Sequence, residues 1–229
     1  MTSDPVFIGA VADIHGNFDA LRRAMERHAD VALWICVGDL ASITGAYPEP
    51  PKPLYWIKGN NEDFDRIAAW EAGEPPPRNL HFIRNGTAVT VGQLRVAALG
   101  GTYAPKWFDT AVSDLPRARS SAAFEKRDDK RRHFVRDEVL ACKALSNIDL
   151  FMTHEAPRPF YPAGRRIDAG KTVLNDVLAA LRPRLHLFGH HHEFTDTVRQ
   201  GVRSIGLDIV TKSYLLVDAA TFKTERLDT

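Results

Sequence analysis

Five apolar runs of strand length punctuate this chain, and each stops at a short polar group rich in Asp, Asn and His. Residues 6–11 lead into Asp13-Ile14-His15-Gly16-Asn17, 31–37 into Gly38-Asp39, and 54–58 into Gly59-Asn60-Asn61-Glu62. Residues 148–152 lead into Thr153-His154, and 184–188 into Gly189-His190-His191-His192. Runs this short and this apolar are buried strands. Behind the first, Leu21, Met25 and Ala29 recur at helical spacing over 18–29. Strands that alternate with helices predict an α/β sheet, whose sites lie outside the carboxyl ends of its strands. A core strand gains nothing from a terminal carboxylate or imidazole, so these groups need another reason. If the strands share a sheet, the polar groups converge at one edge. Three or four imidazoles, two carboxylates and an amide oxygen suit two divalent ions better than one. Mixed nitrogen and oxygen donors fit Mn, Fe or Zn better than Ca or Mg.

The remaining segments are ordinary by comparison. Helical spacing covers 62–72, 134–145 and 171–182. Short strands are expected at 80–84, 87–91 and 94–99, with Asn85-Gly86 and Gly92-Gln93 as hairpin turns between them. Further strands are expected at 195–199, 202–205 and 214–218, and a loop at 158–170. No repeat, low-complexity tract or linker-like composition divides the 229 residues, which read as a single domain, 1–229, with a basic insertion at about 104–136. No apolar run approaches the 18 residues or so of a membrane span. The start, Met1-Thr2-Ser3-Asp4, has no basic leader region. Cys36 and Cys142 are too few for a disulfide framework, and a reducing cytoplasm is the expected setting.

Taken in order, Asp-x-His, Gly-Asp, Gly-Asn-x-Glu, Thr-His and Gly-His-x-His resemble the motifs of the calcineurin-like metallophosphoesterases, over nearly the whole chain. The resemblance implies a four-layer αββα sandwich of two mixed β-sheets flanked by helices, with two metal ions at the strand ends. One ion would take Asp13, His15, Asp39 and His192. The other would take Asp39, Asn60, His154 and His190, with Asp39 bridging. Manganese is the first expectation, with iron or zinc as alternatives. The implied activity is a dinuclear phosphodiesterase using a metal-bridging hydroxide, without a phosphoenzyme. A phosphomonoesterase or protein phosphatase, and a non-catalytic scaffold of the same fold, are the competing readings. Scaffolds of this type lose several ligands, whereas this chain keeps all seven.

Two features depart from or extend that pattern. Many members carry His directly after the ligand Asn, where this chain has Asn61. Asparagine can donate to a phosphate oxygen but cannot deliver a proton to a leaving group. Asn61 and His191 are therefore the candidate catalytic residues, with His191 as an alternative proton donor. Asn61 and Arg166 are the candidate phosphate-binding residues, and Arg165 shares the same short stretch. The outline also resembles the lariat-debranching branch of the family: a Gly100-Gly101 turn, a basic insertion, and a helix leading to Thr153-His154. That branch usually has Cys at Asp13 and His at Asn61. The likeness points to a phosphodiester, with nucleic acid among the candidate partners.

Residues 116–136 hold eight Lys or Arg and three acids, +5 against a net charge of +1 for the whole chain. Such a run can neutralise nucleic-acid phosphates, or it can be an ordinary solvated helix. Trp107 and Phe108 in the insertion are candidates for base stacking. Trp34, Trp56 and Phe188 read as core, and His28, His81, His133 and His186 as surface or packing residues.

Overall fold

The computed structural model describes residues 7–118 and 128–229. In chain order the elements of the first half are β1 (Phe7–Val11), α1 (Phe18–Arg27), β2 (Leu33–Cys36), β3 (Leu54–Trp56), α2 (Phe64–Glu71), β4 (Leu80–Phe82), β5 (Ala88–Val91), β6 (Leu94–Leu99) and β7 (Thr102–Tyr103). There follow β8 (His133–Phe134), α3 (Arg136–Lys143), β9 (Leu150–Thr153), α4 (Thr172–Leu181), β10 (Leu185–Phe188), β11 (Thr195–Arg199), β12 (Val202–Gly206), β13 (Ser213–Asp218) and β14 (Thr224–Asp228).

Successive strand residues point to opposite faces, and that alternation sorts the apolar residues into three layers of core. Ile8, Ala10, Ile35, Val37, Leu150, Met152, Leu185 and Leu187 meet between two sheets. Val11, Trp34, Cys36 and Trp56 face the other way, against Leu21 and Met25 of α1 and Phe64 and Ile67 of α2. Ala97, Leu99 and Phe151 of the second sheet face Val139 of α3 and Leu174, Val177 and Leu178 of α4. Each fully buried Leu or Val contributes roughly 1.5–3 kcal/mol. The result is the four-layer αββα sandwich that the motif order implied.

The first sheet runs β14-β13-β1-β2-β3-β4 and the second β11-β12-β10-β9-β6-β5. Each holds four parallel strands: β1 to β4 in the first, where β4 is the edge strand, and β12, β10, β9 and β6 in the middle of the second. Both faces of β1, β2, β3, β9 and β10 are packed, which explains their nearly unbroken apolar runs. The five polar groups sit at their carboxyl ends.

The structure changes several local expectations. Asn85-Gly86 does not close a hairpin, because β4 pairs with β3 in one sheet and β5 with β6 in the other. The turn carries the chain between sheets instead. The Asn85 amide holds it there, accepting from Gly100 N–H at 2.6 Å and donating to the Gly100 carbonyl at 3.0 Å. Gly92-Gln93 does close a hairpin, with Val91 opposite Leu94. Helix α1 stops at Arg27 and leaves Ala29 exposed. Strands β7, β8 and β14 had no clear sequence signal. Trp34, Trp56 and Phe188 are core residues, and so is Phe108, packed edge-on to Tyr103. His186 is buried between Thr153 Oγ1 and Ser204 Oγ, at 2.8 and 3.1 Å. Cys36 and Cys142 are buried free thiols.

Arg119, Lys126 and Arg127 of the basic run lie outside the described residues. Of the remainder, Arg131 is folded inward: it binds Asp129 Oδ2, Asp65 Oδ1 and the Phe64 carbonyl. Arg136 pairs with Asp109 and lies over the Phe108 ring. No helix among the described residues is long and apolar enough to cross a membrane.

Candidate metal centre

The loops after β1, β2 and β3 are laced together before any side chain is considered. Asp13 N–H donates to the Gly38 carbonyl and His15 N–H to the Asp39 carbonyl. The close approach demands glycine beside the ligands: a Cβ on Gly59 would collide with the Asp39 carboxylate, and one on Gly38 would lie 2.5 Å from His154 Nδ1. Asp13, His15, Asp39, His190 and His192 all have positive φ, between 47° and 72°. L-residues seldom adopt that conformation, at a cost on the order of 1–3 kcal/mol each. Such concentrated backbone strain marks a place where side-chain direction matters more than local comfort.

The side chains form two groups, Asp13 with His15 and His192, and Asp39 with His154 and His190. Within each, one donor atom per residue lies within 4.8 Å of the others. Asp39 stands between the groups, its Oδ2 3.6 Å from His15 Nε2 and 3.5 Å from His154 Nε2. Asn60 joins the second group, with Oδ1 3.1 Å from His154 Nε2. All seven residues expected from the sequence to be ligands are therefore at one place. His15 Nε2 and His192 Nε2 face each other at 3.2 Å. Two nitrogens about 2.1 Å from a single tetrahedral ion would be roughly 3.4 Å apart. His154 Nδ1 lies 2.9 Å from the Val37 carbonyl, which can only accept. That bond puts the proton on Nδ1 and aims Nε2 into the centre, the usual support for an imidazole ligand.

Electrostatics make the same demand. Asp13 and Asp39 are buried, and their only ion pairs among the described residues are with histidines. Asp13 Oδ1 is buried without a hydrogen-bond partner, while Oδ2 accepts from His190 N–H. Burial alone would lift the Asp39 carboxyl, but His154, His15 and the Asn61 N–H hold it well below the carboxylate range. Burial opposes a proton on His154, yet Asp39 and Asp13 keep one there, pushing its pKa up to about 9. His192 rises too, through its contact with Asp13. His190, half-buried and beside charged His154, falls to about 3. A cluster that recruits protons to offset two buried carboxylates is suited to hold divalent cations in their place.

The calcineurin-like phosphoesterase family model matches residues 8–194, which is most of the chain and all seven donors. The chain belongs to this family. The lariat debranching enzyme of Schizosaccharomyces pombe is 24% identical over 208 residues, 81% of this chain but 43% of that protein. The chain thus spans less than half the length of that relative. Among solved structures, TT1561 of Thermus thermophilus covers 98% of this chain and 99% of its own, at TM-score 0.62 and 14% identity. A dimetal phosphatase from Danio rerio covers the same shares at TM-score 0.55 and 12% identity. At these identities the likeness concerns the fold.

In this member of the family, Asn61 sits directly on Asp39: its N–H and Nδ2 donate to Oδ1 and Oδ2, both at 2.7 Å. His191 points elsewhere. Its ring stacks on Phe160 at 4.5 Å, its Nε2 is buried without a partner, and burial with nearby Lys171 lowers its pKa to about 4. Arg165 and Arg166 are both exposed, but Arg165, not Arg166, lines a cleft of about 720 Å³ together with His190, His191, His192 and Lys171.

Other residues matter here without having been singled out in the sequence. The Glu62 carboxylate accepts from the N–H groups of Leu40, Ala41 and Gly59 and from the Tyr47 hydroxyl, at 2.9–3.1 Å. It clasps the loops after β2 and β3. Burial, and then the charge of Asp39, raise its pKa to about 7. Its place in Gly-Asn-x-Glu was the available signal. Phe160, which carries the cleft wall, had none.

Proposed function

We propose that this chain is a phosphodiesterase dependent on two divalent ions, manganese first among them. Asp13, His15, Asp39 and His192 would hold one, and Asp39, Asn60, His154 and His190 the other. The observation that carries this reading is the pair of buried carboxylates, one with an orphaned oxygen, ringed by imidazoles and facing no Lys or Arg partner among the described residues. Bound ions would supply Lewis acidity, polarising phosphoryl oxygens and acidifying water.

The chain's own groups set the terms. Asp39 reaches both groups through one oxygen, Oδ2, while Oδ1 accepts from the Asn61 N–H. The Val37 carbonyl fixes the ring of His154. Asn61 steadies the Asp39 carboxylate and can turn an N–H toward a phosphate oxygen, but it has no proton to give a leaving group. That favours diesters with a good leaving group over alkyl monoesters. The packing of His191 against Phe160 supports a structural task for it. The resemblance to the S. pombe lariat debranching enzyme supports a phosphodiester in nucleic acid as the substrate class.

The test is metal analysis of purified protein, followed by mono- and diesters, including linear and branched RNA, assayed with Mn, Zn and Fe. About two ions per chain and faster turnover of diesters than monoesters are expected. Preference for an alkyl monoester, or full activity after exhaustive chelation, would overturn the reading.

A further inference from the structure

Strands β9, β10 and β12 lie side by side and parallel, with β10 in the middle. Their carboxyl-terminal loops are therefore neighbours. The β10 turn carries His190 and His192, and the segments 154–171 and 207–212 flank it. Both flanking segments bring cations into the same cleft: Arg165 and Lys171 from one, Lys212 from the other.

The first wall is firmly built. Its ends meet at the Pro157–Lys171 bridge, and Lys171 N–H donates to the Ala156 carbonyl at 3.0 Å. Asp168 accepts from Phe160 N–H, Gly170 N–H and Arg158 Nε at 2.7–2.9 Å. Buried Phe160 stacks on His191, and Glu193 accepts from Ala163 N–H at 2.7 Å. The wall is thus keyed to the histidine turn itself. Two of the cleft's cations already have partners, Lys171 with Glu155 at 3.4 Å and Lys212 with Asp208 at 3.2 Å. Arg165 has no ion pair among the described residues, although its backbone is pinned to the Pro162 carbonyl. A guanidinium so placed is suited to a bidentate grip on phosphate. The cleft, at about 720 Å³, is of the size that takes a whole small-molecule ligand and not one phosphoryl group.

We propose that Arg165, Lys171 and Lys212 form a second anion subsite, which selects esters carrying a further phosphate beyond the scissile one. This rests on the phosphoesterase reading above. The further phosphate can be a terminal monoester or the next internucleotide link, and the experiment separates the two.

Metal-loaded protein is titrated calorimetrically with thymidine 5′-phosphate and thymidine 3′,5′-bisphosphate. It is also assayed on three nitrophenyl diesters of thymidine: one with no other charge, one with a terminal 3′-phosphate, and one with a 3′-internucleotide phosphate. Wild type should bind the bisphosphate about tenfold more tightly and favour at least one of the doubly charged esters by a similar factor, with the preference shrinking in salt. The double variant R165Q/K212Q, at two exposed positions, should lose that preference, and R165K should keep most of it. Equal affinity for the two nucleotides, or a preference that survives the double substitution, overturns the subsite. Failure to turn over any ester would instead defeat the phosphoesterase reading, and the calorimetry would still decide the subsite.

Discussion

The two sheets each hold four parallel strands, with antiparallel partners at one edge of the first and at both edges of the second, yet they contribute unlike halves of the site. The first sheet delivers Asp13, His15, Asp39 and Asn60 on turns bound to one another by backbone hydrogen bonds and by the Glu62 carboxylate. The second delivers His154, His190 and His192, and its loops grow outward into a wall with exposed cations. Carboxylates bring negative charge that must be buried close to its counter-charge, so their turns are tight. Candidate ligands thus come from both edges, whereas the cations of the cleft come from the second edge alone.

Breaking the shared carboxylate should have the largest effect. Asp39→Ala should strip metal from both groups and lower turnover by about 10³-fold or more, since removing one supporting partner of a ligand already costs 10–100-fold. Elemental analysis alongside diester kinetics checks it, and a variant with full metal content would show that the two halves do not meet at Asp39. Next is the clasp of the first half. Glu62→Ala leaves three N–H groups and a hydroxyl without their acceptor. A loss of roughly 3 kcal/mol is expected, seen as a melting temperature lower by about 6–12 °C; a shift of under a degree would mean the turns hold themselves.

A smaller effect concerns the second sheet's own core. His186 is buried, and burial lowers its pKa to about 3. The unfolded chain takes up a proton below about 6.5 while the folded one does not, so this residue destabilises the fold as pH drops from there toward 3. The slope approaches about 1.4 kcal/mol per pH unit. Urea unfolding of His186→Gln at pH 7 and 5 should lose less stability on acidification than wild type; parallel losses would exclude the residue as the source. The smallest effect sharpens the difference between the edges. His191→Phe keeps a ring against Phe160, so diester turnover should fall by less than about tenfold, with metal content preserved. A fall of roughly 10²–10⁴-fold would make His191 a proton donor and give the second edge a chemical role.

Much of this was legible from the order of residues, and the misses share a cause. The strands carrying Asp13, Asp39, Asn60, His154 and His190 announced themselves because short apolar runs and polar stops are local signals. Asn85-Gly86 misled for the same reason: a turn between two strand patterns looks alike whether the strands pair or part. Strand β14 has alternating charge and one apolar residue, Leu227, partly buried against the first sheet's outer core, so it is held by pairing with β13 and not by its own composition. Within the basic run, a candidate phosphate surface, Arg131 pairs with Asp65 and Arg136 with Asp109, partners 66 and 27 residues away that no local pattern announces.

The amino-acid order by itself determined which residue types stand at the ends of which strands, and hence the kind of ion they can hold. Tertiary structure decided that seven donors on five separate loops divide into two groups with Asp39 between them. It also decided that Arg165, and not Arg166, lines the cleft. The physical reason is range: hydrophobic periodicity acts over a few residues, whereas strand order and direction, which bring the loops together, are settled only when both sheets bury their shared faces.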